Sequence, residues 1–178
     1  MIRILFALLL GASVLFATHN RTILEMQANI IPKLILMDYN YDEKLVNGTI
    51  LITVLYESQD RYYADMLRTL IHKSYPDGIQ SYKVEVQLEE YGEYLRQPTA
   101  ATLLFYFESD LDTITKANQK AARTHIITFG YDPKMLSVGT NLSLFIGAKT
   151  RPYVNLTSLK AHNIAFRPIL TRISKFYE

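Results

Sequence analysis

The chain has no cysteine anywhere in its 178 residues. That absence excludes disulfide staples, thiolate metal sites, thiol catalysis and lipid attachment at a leader cysteine. Tryptophan is missing too, and glycine occurs only seven times. No glycine falls in Gly-x-Gly, Gly-Lys-Ser/Thr or Gly-x-Ser-x-Gly, which removes the backbone cradles for dinucleotides and phosphates and the nucleophile elbow. Neither sign of charge dominates: 19 basic and 17 acidic residues leave a net +2, with the basic ones scattered. Such a pattern carries no footprint for nucleic acid, and no nucleic-acid partner is expected. His19, His72, His125 and His162 do not pair with one another or with carboxylates at metal-ligand spacing. The acidic set Glu85, Glu89, Glu90 and Glu93 fits the wet face of a strand followed by an exposed helix. No catalytic residue, metal or cofactor is therefore assigned, and an enzyme is not expected.

Long hydrophobic runs are also scarce. The longest is Ile4 to Phe16, interrupted only by Gly11 and Ser13 and preceded by Arg3. A membrane-spanning helix needs about 20 apolar residues, so residues 1–17 read as a secretory signal cleaved after Ala17, with an uncleaved anchor as the alternative. Residues 18–178 are then the exported part. At about 160 residues they suffice for one domain with a sizeable core.

Helical spacing from Thr22 to Met37 places Ile23, Met26, Ile30, Leu34 and Met37 on one face, with a kink or break expected at Pro32. Thr49–Tyr56 and Ala101–Phe107 are apolar on both faces and predict central strands. Tyr82–Leu88 alternates, which predicts a strand with one lightly covered face. Ser58 is expected to cap a helix through Tyr63, Met66, Leu67, Leu70 and Ile71, and Tyr75–Gly78 to form a turn. Glu89–Arg96 predicts a short helix. Ser109 and Asp110 are expected to cap another through Leu111, Ile114, Ala117 and Ala121, with Asp112 completing a capping box. His125–Phe129 predicts a fourth strand. The alternation implies an α/β domain: a mostly parallel sheet flanked by helices, with an antiparallel C-terminal edge hairpin and a closing helix.

That hairpin is read from Leu142–Ile146 and Tyr153–Leu156, joined across Gly147–Pro152. The closing helix has Pro168 in its first turn and Phe166, Ile169, Leu170, Ile173 and Phe176 on one face. Val138-Gly139, Tyr153-Val154-Asn155-Leu156, Ala161 and Ile169-Leu170 with Ile173 together resemble the C-terminal signature of the YfiR/HmsC-like family of periplasmic regulators. The resemblance covers about three quarters of the exported chain. It implies an α/β fold, a periplasmic location and a regulatory partner: the extracytoplasmic domain of an inner-membrane sensor protein, a diguanylate cyclase held inactive or a sensor kinase. A homodimer is compatible with it. Relatives carry cysteine pairs, so redox behaviour does not transfer to a chain that has none.

Thirteen tyrosines supply stiff contact area with polar tips. Tyr39, Tyr41, Tyr91, Tyr94 and Tyr131 fall outside obvious core positions. Tyr39 and Tyr41, with Arg172, Lys175 and Tyr177 of the last helix, are the candidate partner-binding residues. In open parallel sheets ligands sit beyond the carboxyl ends of the strands. Tyr56, Ser58, Ser109 and Tyr131 occupy those ends, and Arg151 and Asn155 join them if the hairpin folds back over that edge. These six are the candidate ligand-binding residues. A periplasmic small-ligand-binding sensor module is the alternative function.

Overall fold

The computed structural model describes residues 20–177; residues 1–17, expected to be a secretory signal, and His19 lie outside the described residues. The first helix, α1 (Arg21–Ile35), opens on Asn20, whose side chain accepts the Thr22 N–H at 2.8 Å. It buries Leu24, Gln27, Ala28, Ile31, Leu34 and Ile35, a stripe rotated by one residue from the expected Ile23, Met26 and Ile30. Pro32 neither breaks nor ends it. Placed in the last turn, the proline deprives only the Ala28 carbonyl of its intrahelical donor.

The chain continues through β1 (Ile50–Tyr56), α2 (Arg61–Ser74), β2 (Val84–Glu90), α3 (Tyr91–Arg96), β3 (Leu103–Tyr106), α4 (Leu111–Arg123) and β4 (Ile127–Gly130). Then follow β5 (Leu142–Phe145), β6 (Arg151–Asn155), α5 (Leu156–Ala161), α6 (Pro168–Ile173) and β7 (Lys175–Tyr177). The seven strands form one sheet in the order β2-β1-β3-β4-β5-β6-β7, parallel throughout except between β5 and β6. This is the expected α/β architecture. Strand β7 adds an edge beyond the hairpin: the closing helix stops at Ile173, and Phe176 belongs to a strand pairing with Val154.

Both faces of the sheet are covered, which is why β1 and β3 read as apolar on both sides. Ile52, Val54, Leu103, Phe105, Phe129, Leu144 and Val154 point into the larger core with α1, α2 and Leu170 of α6. Leu55, Leu104 and Tyr106 point the other way, against Ile114, Ala117 and Ala121 of α4. Each such side chain contributes roughly 1.5–3 kcal/mol on burial. Tyr91 and Tyr94 of α3 complete this second core at 1% exposure each, so they are packing residues and not the surface tyrosines expected.

The caps differ from expectation in a consistent way. Asp110 alone caps α4, accepting the Thr113 N–H at 2.9 Å and its hydroxyl at 2.7 Å. Asp112 pairs with Lys116 one turn on instead of closing a capping box. Ser58 does not cap α2; it lies in a 3-10 turn ahead of the helix. The Tyr75–Gly78 turn forms as expected, with Gly78 at φ +81° donating to the Tyr75 carbonyl at 3.1 Å.

Candidate functional site

The order β2-β1-β3-β4 puts a topological switch point between β1 and β3, since the chain leaves β1 toward β2 and leaves β3 toward β4. Side chains beyond the carboxyl ends of those strands are spent on one another. The Tyr56 hydroxyl accepts from Arg61 Nη1 at 2.7 Å, and its ring is buried. Ser58 donates to Glu90 Oε1 at 3.0 Å, and Ser109 donates to Glu57 Oε1 at 2.5 Å. Each serine thus ties a hydroxyl after one strand to a carboxylate after, or at the end of, its neighbour. Below them the Tyr91 hydroxyl donates to the Phe107 carbonyl at 2.7 Å. Burial pushes that phenol well above its usual range, and the negative charges of Glu57, Asp60 and Asp110 push it further.

Tyr131 follows β4 at the same edge. Its ring stacks on Phe107 at 5.7 Å, its hydroxyl accepts the Asn20 N–H at 2.8 Å, and its carbonyl accepts from Gln27 Nε2 at 3.1 Å. It anchors the start of α1 to the sheet edge, and burial raises its pKa.

Arg151 and Asn155 do not join this group. Arg151 pairs with Phe145 at the carboxyl edge, but on β6, four strand spacings or about 19 Å from β1. Asn155 lies at the opposite edge, where its N–H donates to the Asn141 carbonyl at 2.9 Å. It is buried, caps α5 by accepting the Ser158 N–H at 2.9 Å, and donates to the Leu136 carbonyl at 2.8 Å. An antiparallel strand delivers its two ends to opposite edges, so one hairpin arm cannot place both residues over one crevice.

The partner-binding candidates divide as well. Tyr41 packs edge-to-face on Tyr82 at 5.7 Å, near the start of β2. Lys175 and Tyr177 alternate with Phe176 along β7 and lie on the sheet face shared by Tyr153 and Phe145. Lys175 Nζ stands 3.8 Å from the Phe145 ring centroid, and the Tyr177 ring is 6.0 Å from that of Tyr153. Phe176 pairs with Val154 and shares the other face.

On that other face the structure joins two segments far apart in sequence. Tyr39 N–H donates to the Ala165 carbonyl and Arg167 N–H to the Met37 carbonyl, both at 2.8 Å, with Asp38 bridging Phe166 in antiparallel fashion. Asp38 is fully buried and paired with Lys44. The loop after α1 and the start of α6 are thereby locked together. Exposed around this junction are Tyr39 (55%), Ile169 (50%), Ile173 (44%) and Phe176 (37%), with Arg172 beside them on α6. Ile169, Ile173 and Phe176 were expected to pack inward; only Leu170 of that set is buried, because a six-residue helix at the sheet margin has one covered side. Their helical spacing was the signal; its orientation was set by the Met37–Arg167 contact.

No family model and no curated protein matches this chain. Solved structures do. An ABC domain in complex with L-Trp from Streptococcus pneumoniae superposes with a TM-score of 0.54 at 10% identity, covering 83% of this chain and 62% of its own. A conserved domain protein from Vibrio cholerae gives 0.57 at 11% identity, covering 87% and 60%. The chain thus spans about three fifths of the length of these structures, and at such identity the likeness is one of fold.

Proposed function

We propose that this chain is a periplasmic regulatory protein. Its exposed apolar strip around Tyr39 and α6 docks on the extracytoplasmic domain of a membrane-bound signalling enzyme. In the family that its C-terminal segment resembles, that enzyme is a diguanylate cyclase, which the partner holds inactive. The observation that carries the reading is the Met37–Tyr39 contact with Ala165–Arg167, which brings the exposed Tyr39 to the segment that enters the helix carrying the exposed Ile169, Arg172 and Ile173. Large apolar side chains grouped on a surface mark interaction sites, and aromatic and arginine residues are favoured anchors.

Regulation then follows from differential affinity. The protein shifts its receptor toward the inactive state only by as much as it prefers that state. Moving a receptor from 1:99 to 99:1 takes about 5.5 kcal/mol of preference, an amount a few buried anchors supply. The test is retention of a membrane sensor from a detergent extract of the envelope on the tagged chain. The expected result is recovery of one cyclase or sensor kinase by the natural chain and its loss with Ile173→Glu. Equal recovery by both, or by neither, contradicts the reading.

A small-ligand sensor module is the second reading, favoured by the switch point between β1 and β3 and by the fold shared with a domain solved in complex with L-Trp. It requires that a soluble metabolite raise Tm in proportion to ln(1 + [L]/Kd).

A further inference from the structure

The basic residues are scattered along the chain, but the acidic ones are not. Residues 133–177 carry seven lysines and arginines and no aspartate or glutamate, whereas residues 20–132 carry eleven against sixteen. The last stretch of the chain is therefore positive and the part before it negative, an asymmetry that a net charge of +2 conceals. The fold concentrates part of that positive charge at the turn 146–150, which joins β5 to β6, and on the neighbouring strand β7. Lys149, Arg151 and Lys175 are exposed, and their side chains form no ion pair and no hydrogen bond among the described residues. Two acids that border this segment in sequence or through contact are already paired. Asp132 faces Lys134 at 3.7 Å, and Glu25, next to the Met26 sulfur that Thr150 reaches at 3.6 Å, holds Arg21 at 3.0 Å.

Aromatic rings set one of these cations in place. Lys175 Nζ lies 3.8 Å from the Phe145 ring centroid and 5.4 Å from that of Tyr153. The rings themselves stand edge to face, Phe145 against Tyr153 at 78° and Tyr153 against Tyr177 at 66°. With an ammonium over Phe145 and its neighbours turned across one another, no flat platform is left on which a base or a sugar ring stacks. What projects instead is Ile146, 47% exposed at the start of the turn, with Lys149 and Arg151 a few residues on. An apolar side chain at a turn, followed by cations and flanked by tyrosines, suits the boundary between water and an anionic bilayer.

We propose that the β5–β6 turn and the adjoining face of β7 dock this chain on an anionic phospholipid surface. Ile146 enters the headgroup boundary, and Lys149, Arg151 and Lys175 meet lipid phosphates. Each cation brought to such a surface raises affinity about fivefold, an attraction that fades within a Debye length. The opposite charge on the rest of the chain orients the molecule so that this end approaches first. Lys175 and its aromatic neighbours lie on the sheet face opposite Phe176. The docking strip plays no part in the inference, and its failure leaves the regulatory reading standing.

Sedimentation of the intact chain with lipid vesicles tests this, comparing phosphatidylcholine that contains about one third phosphatidylglycerol with phosphatidylcholine alone. Retention is expected on the anionic vesicles only, and its loss as salt rises from about 0.1 M to about 1 M. Lys149→Gln combined with Arg151→Gln is expected to weaken binding about 25-fold, and Ile146→Ser about tenfold. Urea midpoints should stay unchanged in both variants, because all three side chains are exposed. Soluble glycerol phosphate at matched concentration is expected not to displace the chain. Equal retention on neutral vesicles, undiminished binding in either variant, or displacement by glycerol phosphate would each overturn the proposal. So would capture by immobilised poly-L-glutamate without retention on vesicles, which would make an acidic protein segment the occupant.

Discussion

Tyr39 donates its backbone N–H to the carbonyl of Ala165 at 2.8 Å, fastening the loop that leaves the first helix to the segment that enters the last. The bond and its neighbour from Arg167 to Met37 are short and local, but they decide which side chains share a surface. Without them Tyr39 and Ile173 belong to unrelated parts of the chain. With them the loop carrying Tyr39 is held at the entry to the helix carrying Ile173, and the C-terminal segment of the sequence acquires a companion from its beginning.

Changing that strip should separate binding from folding. Ile169 and Ile173 are half exposed, so Ile169→Glu and Ile173→Glu are expected to change unfolding free energy by no more than about 0.5 kcal/mol. Partner retention should fall at least tenfold. A urea melt and a binding titration on the same samples check both. A large loss of stability would place these residues in the core after all.

Two of the buried tyrosines in the second core make opposite predictions. Tyr91 donates to the Phe107 carbonyl, and Tyr91→Phe removes that buried hydrogen bond, at a cost of about 1–2 kcal/mol. Tyr106 is fully buried, and its hydroxyl has no hydrogen-bond partner among the described residues. Tyr106→Phe removes an unsatisfied group and is expected to be neutral or stabilising by up to about 1 kcal/mol. Equal destabilisation by both, measured in urea, would show that the Tyr106 hydroxyl has a partner.

Much of the fold is legible in the sequence because the central strands carry their signal locally. Thr49–Tyr56 and Ala101–Phe107 are apolar on both faces only because helices cover both sides. The Gly147–Pro152 turn marks the hairpin with equal clarity. The end of the chain is not legible in the same way: Ile169, Leu170, Ile173 and Phe176 keep helical spacing, yet Phe176 joins a strand, since pairing with β6 outweighs a periodicity of so few residues. Tyr91 and Tyr94 look like surface residues until α3 is seen folded onto Tyr106. Asn155 keeps its place in a strand but ends at the far edge of the sheet, which only the antiparallel register reveals.

Glycine positions offer a graded test of backbone geometry. At Gly78, φ is +81° and a Cβ would meet the Tyr82 carbonyl oxygen at 2.1 Å. Gly48 has φ +75° with nothing within 4 Å. Gly48→Ala carries only the left-handed penalty of about 1–2 kcal/mol, whereas Gly78→Ala adds a steric clash and is expected to cost distinctly more. Similar melting temperatures for the two variants would contradict the turn as described.

His162 makes stability fall in mild acid. Burial lowers its pKa most; the Ile126 carbonyl raises it by less, and electrostatic interactions with His125 and Lys44 lower it by smaller amounts again. Below about pH 6.5 the unfolded chain therefore binds a proton that the folded chain does not, and stability drops as pH falls toward the folded-state pKa. Above about pH 6.5 this contribution is fully present. Tm measured from pH 8 to pH 5 should decline less in His162→Gln than in the natural protein; parallel curves would exclude the imidazole as the cause.

The most direct test of the regulatory account is cyclic-di-GMP output from cells that carry the retained membrane sensor and either the natural chain or Ile173→Glu. The account predicts a low signal with the natural chain and a signal restored to that of cells lacking the protein when the strip is charged, with equal amounts of folded protein in both. An unchanged signal with Ile173→Glu, despite equal abundance, would contradict it.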